Sequence, residues 1–271
     1  MTMLSIKGTL KEAFSRIKGT KFPVFICFLG LLFGEAVGLV VLNILMLNFF
    51  GIDYLHFIQS TIKHPGAQLF SMLFTLLVLP FLLASFMGGM AMLGLLSARQ
   101  QPISKTIGFH YFNKTIPIAV LQILLFIVTM ITIFILNFLG FTLVGLFSML
   151  MHSLLGKSTV IGVITVILAG GIIFIDLFVC MVLVLSVQLS MLLVMDKNLN
   201  PFKAIIVSLS GISKHIFKSA LIAFICLVIL ALAAVTIIGL LWAVPFMLNA
   251  FGILYRELID NGVIPAQPAT N

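Results

Sequence analysis

Two acidic residues inside long apolar stretches are the first candidates for chemistry. Glu35 and Asp176 are the only carboxylates deep within the apolar runs of the sequence. A carboxylate in hydrocarbon is costly, so such an acid indicates by default a proton relay or a cation site. The same pattern arises when a protonated acid bonds a neighbouring helix, or when its side chain reaches water. Glu35 and Asp176 therefore form a candidate intramembrane polar site, and no Lys or Arg lies at comparable depth to pair with them.

Other groups capable of chemistry do not form a catalytic motif. The sequence lacks GxxxxGK[ST], GxSxG and HExxH patterns, and its histidines and cysteines are dispersed. We therefore expect no enzyme activity, no metal site and no cofactor. The most polar cluster at the end of an apolar run is Tyr255, Arg256 and Glu257. It predicts an interfacial anchor, with the Tyr ring at headgroup level and Arg256 facing phosphate.

Composition indicates a membrane protein. The chain is 62% apolar and 8% charged, whereas soluble domains average roughly 45–50% and 25%. The formal charge of +8 could indicate nucleic-acid binding. However, the basic residues are spread over several short loops and form no dense patch. Anionic lipid headgroups and the positive-inside bias explain this charge better. We expect membrane lipids as partners and no nucleic acid.

Six apolar segments are long enough to cross a bilayer. The sequence therefore predicts an all-α polytopic membrane protein, with six transmembrane helices in three pairs. Pro80 predicts a kink, because Pro removes a backbone hydrogen bond. We expect 140–158 to form an outer loop or a re-entrant helix. The fourth span exceeds the bilayer thickness, so it must tilt, break near Gly170 and Gly171, or project outward. The predicted spans are 23–47, 69–97, 116–139, 160–195, 219–238 and 240–258.

Three segments combine a basic face with an apolar face. They occupy 4–18, 101–114 and 200–218, and each precedes a predicted pair of spans. In the third, Asn200 can cap a helix and Pro201 suits its first turn. We expect three amphipathic helices on the cytoplasmic face of an anionic membrane. The side chains predicted to contact lipid headgroups are Lys7, Lys11, Arg16, Lys105, Lys203, Lys214 and Arg256.

Glycines within the first two spans indicate close helix packing. Small residues four apart let a second helix approach closely in a membrane. The candidate packing positions are Gly30, Gly34, Gly38, Gly88 and Gly89.

The distribution of charge predicts the orientation of the chain. All 15 Lys and Arg except Lys63 and Lys157 fall on one side of the predicted spans. The positive-inside rule makes this side cytoplasmic and places both termini there.

The chain also shows weak internal repetition. The order of surface segment, span, outer turn and span recurs over about 1–99, 100–199 and 200–260 of a single membrane domain, and 261–271 form a polar tail expected to be flexible. Repeats can mark a transporter with a midplane site, or a duplication that only built a helix bundle.

The last third of the chain carries a family resemblance. An apolar run ends near Asp196, Pro201 opens a segment with Ser208 and Ser210, and a final pair of spans contains Pro245 and ends in Tyr-Arg-Glu at 255–257. With PFLLASFMGGMAMLGLL at 80–96 and GFHYF at 108–112, this pattern resembles the YciC-like group of bacterial inner-membrane proteins. The resemblance implies an integral inner-membrane protein linked to envelope maintenance and supplies no catalytic residues. Segment 140–158 is longer than the turns of that group.

These observations predict a non-enzymatic protein of the bacterial inner (cytoplasmic) membrane. We expect it to interact with lipid or with a membrane partner in envelope maintenance, as a homo-oligomer or with an envelope protein. The alternative is a small permease or channel that uses Glu35 and Asp176 near the midplane.

Overall fold

A computed structural model describes residues 5–51, 53, 65–155 and 159–260. These residues are almost entirely helical, and they include six helices long and apolar enough to cross a membrane. The expectation of an all-α, multi-pass membrane protein is therefore confirmed. Lys63, Lys157 and the predicted flexible tail at 261–271 lie outside the described residues.

Nine α-helices follow one another along the described chain. Two short 3₁₀ turns, Ile107–Phe109 and Phe112–Lys114, lie between the fourth and fifth helices, and a π-helical turn, Arg256–Asp260, continues the last. The helices are α1 Ile6–Ser15, α2 Ile17–Phe50, α3 Pro65–Leu77, α4 Leu79–Ala98, α5 Thr115–Leu155, α6 Thr159–Asp196, α7 Pro201–Ser213, α8 Ile216–Ala233 and α9 Ile237–Tyr255.

The helix boundaries follow local capping chemistry. The Asn200 side chain accepts a hydrogen bond from the N–H of Phe202 at 3.1 Å, and Pro201 occupies the first turn of α7. Thr236 caps α9 in the same way through the N–H of Gly239 at 3.0 Å. At the C-terminus of α2, Gly51 ends the helix with a φ of +66°, which glycine adopts without strain. Side-chain caps and a C-terminal glycine therefore fix these three boundaries.

The second predicted surface helix, at 101–114, is not an α-helix. The Ser104 hydroxyl accepts from the N–H of Thr106 at 3.3 Å, and the His110 ring bonds the carbonyl of Thr106 at 3.0 Å. Such local bonds compete with an α-helical ladder. Gly108 also packs on Gly89 of α4, where a Cβ would lie 2.5 Å from the Cα of Gly108. Tertiary contact, rather than amphipathic periodicity, shapes this segment into two 3₁₀ turns.

The expectation of a loop or re-entrant helix at 140–158 is wrong over its described part. α5 continues without interruption to Leu155. The reason is that Gly140 serves packing and not a turn, because a Cβ there would lie 2.9 Å from the side chain of Ile172 on α6. α6 is likewise continuous across Gly170 and Gly171, so of the three alternatives for this span the break does not occur, which leaves tilting or projection outward. A helix interruption does occur at Val78, two residues before Pro80.

The apolar core lies towards one end of the bundle. Its buried side chains come from the end of α4, the start of α5, the last half of α6 and most of α9. At the other end, Leu42, Met46, Ala67 and Phe74 form a small separate cluster between α2 and α3. The outer parts of α5 and α6 contribute little to either core, since large apolar side chains there are exposed.

Candidate functional site

Three helix ends meet at the end of the bundle that holds the core. Arg99 directly follows α4, Asp196 ends α6, and Asp260 ends the π turn after α9. Together with Tyr255 and Lys197 they form what we call the Arg99 cluster. Each side chain comes from a different part of the sequence, and the packing of α4, α6 and α9 brings them together.

Arg99 bonds two carboxylates at once. Its Nη1 and Nη2 donate to the two oxygens of Asp196 at 2.6 and 2.8 Å. Its Nε and Nη2 also donate to Asp260 at 2.8 and 2.9 Å. Such forked, charge-assisted bonds are stronger and more directional than neutral ones. The hydrogen bond to Asp196 raises the pKa of the Arg99 guanidinium, although burial opposes this shift. Arg99 therefore remains charged and ties α6 to the end of α9.

Tyr255 is a structural residue of this cluster and not an interfacial anchor. Its side chain is fully buried, and its hydroxyl donates to Asp196 Oδ2 at 3.0 Å. A fully buried ring does not contact lipid, as the ring of an interfacial anchor would. Tyr255 instead supplies the buried hydrogen bond that a desolvated carboxylate needs.

A second group of charges lies beside the first and involves α1. Glu12 accepts from Arg256 at 3.0 and 3.1 Å and from Arg16 at 2.7 Å. Arg256 also donates to the carbonyl of Ala98 at 2.6 Å, and Arg16 donates to the carbonyl of Ser97. These two arginines therefore satisfy carbonyls at the C-terminus of α4, where positive charge is favourable. We call Glu12, Arg16 and Arg256 the Glu12 cluster.

The predicted headgroup contacts divide into two sets. Arg16 and Arg256 are committed to Glu12 and to backbone carbonyls, as described above. The five lysines of the prediction are all exposed, and they are Lys7, Lys11, Lys105, Lys203 and Lys214. The two sets therefore differ in exposure, because the arginines are partly buried and the lysines are exposed.

The Glu12 cluster predicts a pH dependence of stability. Burial of the Glu12 carboxyl raises its pKa, but hydrogen bonds from Arg256 and Arg16 outweigh burial, so the pKa lies below its ordinary value of 4.5. A lowered folded-state pKa stabilises the fold above the unfolded pKa, and the contribution disappears as the pH falls through the folded value.

We therefore expect Glu12→Gln to lower the free energy of unfolding by about 1 kcal/mol at pH 7. This difference from the wild type should shrink as the pH falls below about 4.5, because Glu12 is then protonated in the unfolded chain and, at still lower pH, in the folded protein. Thermal unfolding of both proteins in detergent between pH 7 and pH 3.5 measures it. A difference that stays constant over the whole range would contradict the assignment of Glu12 as an ion-pair partner.

The two predicted intramembrane acids are not brought together as a pair. Glu35 is exposed on the outer surface of α2, whereas Asp176 is half-buried on α6. Asp176 lies one helical turn from Ile172, which packs on Gly140, and so lies near the level of Asn137 on α5. The Asp176 Oδ1 is buried without a hydrogen-bond partner. Within the described residues, no hydrogen bond or ion pair joins Glu35 to Asp176.

Helix α7 is held to the bundle by small residues. Ala204, Ser208 and Gly211 are buried on its inner side. The Ser208 hydroxyl shares hydrogen bonds with Ser186 at 2.9 Å and Ser190 at 2.7 Å, both on α6. Three large apolar side chains of α7 point away from the bundle, and they are Phe202, Ile206 and Leu209. Ile212 is buried in the core instead. The helix therefore exposes an apolar surface beside Lys203 on the outside.

The predicted packing glycines lie at helix contacts. A Cβ at Gly30 would lie 2.2 Å from the ring of Phe86, and Gly34 and Gly38 face Leu83 and Leu79 of the same helix, α4. On α4 itself, a Cβ at Gly88 would meet Ile118 and Met195 at 2.7 and 2.8 Å. Gly89 packs on the 3₁₀ segment, as noted above.

Sequence reasoning did not single out Arg99, Asp260 or Glu12 as site residues. A signal was nevertheless present, because the apolar runs at this end finish with Arg99, Asp196 and Asp260, which differ in sign. Opposite charges at helix ends that share one side of a membrane are candidates for ion pairs. The sequence alone does not show that these three helix ends are neighbours in the fold.

A groove of about 520 Å³ opens between α3, α4 and α5. Its walls are mostly apolar, and Gln122 at one side donates to the sulfur of Met87 at 3.1 Å. The groove brings no acid and base together. Among the described residues there is also no group of three His, Cys, Asp or Glu side chains that could hold a metal ion.

Comparison with known proteins returned no match. No family model, no curated protein and no solved structure is similar to this chain. The resemblance to the YciC-like group therefore remains a prediction from the quoted motifs.

Proposed function

We propose that this chain is a non-enzymatic inner-membrane protein that binds anionic lipid at the cytoplasmic surface, in the service of envelope maintenance. The outward face of α7 carries this proposal. Phe202 and Ile206 are exposed beside Lys203, while a polar and small-residue face holds the helix to α6. Exposed apolar residues flanked by lysines are typical of a helix embedded in an anionic headgroup layer.

The orientation follows from the same reasoning. The end of the bundle with the Arg99 and Glu12 clusters also carries Lys7, Lys105 and Lys203. By the positive-inside rule this end is cytoplasmic, so both termini lie in the cytoplasm. α1 and α7 are then surface helices before the first and fifth spans, and the six spans form three pairs. The YciC-like resemblance agrees with this arrangement.

Reversing the charge of α7 tests the proposal. We expect Lys203→Glu to lower the preference of the protein for phosphatidylglycerol over phosphatidylcholine about twofold, because one cation near the surface contributes about 1 kcal/mol with anionic lipid and less under screening. The measurement is the motionally restricted fraction of each spin-labelled lipid around the purified protein in bilayers. Lys203→Arg, which keeps the charge, is the matched control. An unchanged preference in Lys203→Glu would contradict the proposal.

The permease hypothesis receives less support. It needs Glu35 and Asp176 along one path, yet Glu35 lies on the outer surface of α2. The observation that most favours a permease is that the Oδ1 of Asp176 is buried without a hydrogen-bond partner. A single half-buried acid is also compatible with a protonated side chain between two helices.

A further inference from the structure

Helices α5 and α6 are too long for the bilayer. They contain 41 and 38 residues, whereas α8 contains 18. At a rise of 1.5 Å per residue, α5 is about 60 Å long. It would need a tilt of about 60° to stay within a hydrocarbon core of about 30 Å, and transmembrane helices tilt by roughly 0–40°. Tilting alone therefore does not bury the whole hairpin in lipid.

The excess length lies at the end opposite the Arg99 cluster. Lys114 bonds Asn198, so the start of α5 and the end of α6 lie at the same level. Asn137 and Asp176 are about 22 residues further along their helices, a distance of about 33 Å. A hydrocarbon core of about 30 Å that begins at the level of Lys114 therefore ends close to these two residues. Residues 140–155 and 159–172, which we call the outer hairpin, then extend about 20 Å beyond it.

The exposed surface of the outer hairpin is mostly apolar, with His152 among its few exposed polar side chains. Its sequence contains no Asp, Glu, Lys or Arg, and Leu143, Met149 and Val166 are among its most exposed side chains. Only 6% of the most apolar stretch of α6 is buried, compared with 61% of the stretch in Gly239–Asp260. An apolar patch of this kind outside the bilayer indicates an interaction site.

We propose that the outer hairpin is an interface that pairs two copies of this chain. A second copy inserted in the same orientation presents the same apolar surface at the same height above the membrane. The two described arms of the hairpin carry no Asp, Glu, Lys or Arg, so two copies meet along these arms without charge repulsion. A two-fold axis along the membrane normal makes the contact self-complementary. The inference is independent of lipid binding by α7, which lies at the other end of the molecule.

The available area is sufficient for a stable pair. One face of the hairpin from Phe126 to Leu155 is about 45 Å long and two helices wide, which gives on the order of 900 Å² at a helix diameter of about 10 Å. A typical specific interface buries about 800 Å² per partner. The contact would therefore begin within the membrane and continue along the outer hairpin.

The shape of the surface suits close helix contact. A Cβ at Gly145, Gly162, Gly170 or Gly171 would meet no atom within 4 Å, in contrast to Gly140 beside Ile172. Around Gly162 lies a shallow depression of about 440 Å³, whose other walls include Val163, Val166 and Ile167. Unfilled space at glycines lets a second backbone approach closely, which is how membrane helices associate. The depression accepts a large side chain, such as Met149, from the second copy.

Cysteine cross-linking in native membranes tests the proposal. Val166→Cys on the outer hairpin and Leu232→Cys on α8 are matched in exposure at 71% and 72%. Both are placed in a background in which Cys27, Cys180 and Cys226 are Ala. We expect Val166→Cys to give about fivefold more covalent homodimer than Leu232→Cys, because only the former lies in a packed helix contact.

A second measurement covers the case in which the cysteine-free background fails to fold. The wild-type chain fused to a fluorescent protein should show two photobleaching steps per spot in native membranes at low expression. Equal cross-linking at both positions, cross-linking of Val166→Cys to a different protein, or single bleaching steps throughout would each overturn the proposal.

Discussion

Replacing Arg99 with Ala is expected to lower the free energy of unfolding by about 3 kcal/mol, because the carboxylates of Asp196 and Asp260 both lose the guanidinium that bonds them. Asp196 and Asp260 both bond Arg99 at 2.6–2.9 Å. The Asp196 side chain is only 13% exposed, so water cannot replace the hydrogen bonds that it receives from Arg99. Lys197 approaches both acids at 3.5 and 3.8 Å and softens the loss without replacing the forked bonds.

The control for Arg99→Ala is the substitution of an exposed lysine, Lys105, at the same end of the bundle. Lys105 is exposed, and the structure gives it a contact of 5.6 Å to the ring of Phe22. Lys105→Ala removes one positive charge and should change stability by less than about 0.5 kcal/mol. Unfolding of both variants is followed by circular dichroism as the fraction of SDS in mixed micelles rises. Equal stability of Arg99→Ala and Lys105→Ala would show that the cluster does not hold the helix ends together.

Adding one methyl group at Gly94 destabilises the fold by about 3 kcal/mol or more, because the new atom would meet backbone that cannot rotate away. A Cβ at Gly94 would lie 2.0 Å from the carbonyl oxygen of Leu248, and a Cβ at Gly252 would lie 2.1 Å from the carbonyl oxygen of Gly94. Helices α4 and α9 therefore cross in backbone contact, and a methyl group forces them apart. The separation also displaces Arg99 and Arg256, which follow the two helices directly.

Gly19 provides the control for this substitution. It is exposed in α2, and a Cβ there would meet nothing within 4 Å. Gly19→Ala should be neutral or stabilise the protein by up to about 1 kcal/mol, because Ala has the higher helix propensity. The measurement is the thermal midpoint of each variant in detergent. It is obtained from the fraction of protein that still elutes as a single species from a size-exclusion column after heating. If Gly94→Ala matches Gly19→Ala, the two helices do not cross as the structure shows.

The general architecture could be predicted because it depends on composition. Spans of apolar residues beyond about 20 in length have one stable environment, and the six candidate spans follow from this rule. The cap at Asn200 and the interruption near Pro80 were also predictable, since both depend on neighbours within one helical turn. Their determinants are all local in sequence.

Glycine misled the prediction where its role is tertiary. Gly140, Gly145 and the nearby His152 suggested a loop at 140–158. In the structure Gly140 allows α5 to pack on α6, and Gly145 faces open space. A glycine in an apolar run can mark a turn or a helix contact, and only the position of the neighbouring helix distinguishes the two.

The charged clusters could not be predicted for a related reason. Arg256 pairs with Glu12 across 244 positions of sequence, and Arg99 pairs with Asp260 across 161. Each of the two arginines, taken alone, has the pattern of a headgroup contact at the end of a span. Only the packing of α1, α4 and α9 shows that these charges bind one another. Tyr255 was misassigned for the same reason, since its hydroxyl meets Asp196 from another span.

The clusters also divide the basic residues of this end of the bundle into two sets. Arg16 and Arg256 neutralise Glu12 and cap α4, so they contribute to the fold. Lys203 is exposed at the surface of the same end. This division predicts that loss of Lys203 changes lipid preference with little change in stability, and that loss of Arg99 does the reverse.

A double-mutant cycle between Arg99 and Asp196 tests the central claim most directly. The cycle compares the wild type, Arg99→Ala, Asp196→Ala and the double variant by SDS-induced unfolding in mixed micelles. If the forked bond joins α4 to α6, the two losses are not additive, and the coupling energy is about 1.5–3 kcal/mol. A coupling energy within about 0.5 kcal/mol of zero would contradict the claim that this cluster joins the helix ends.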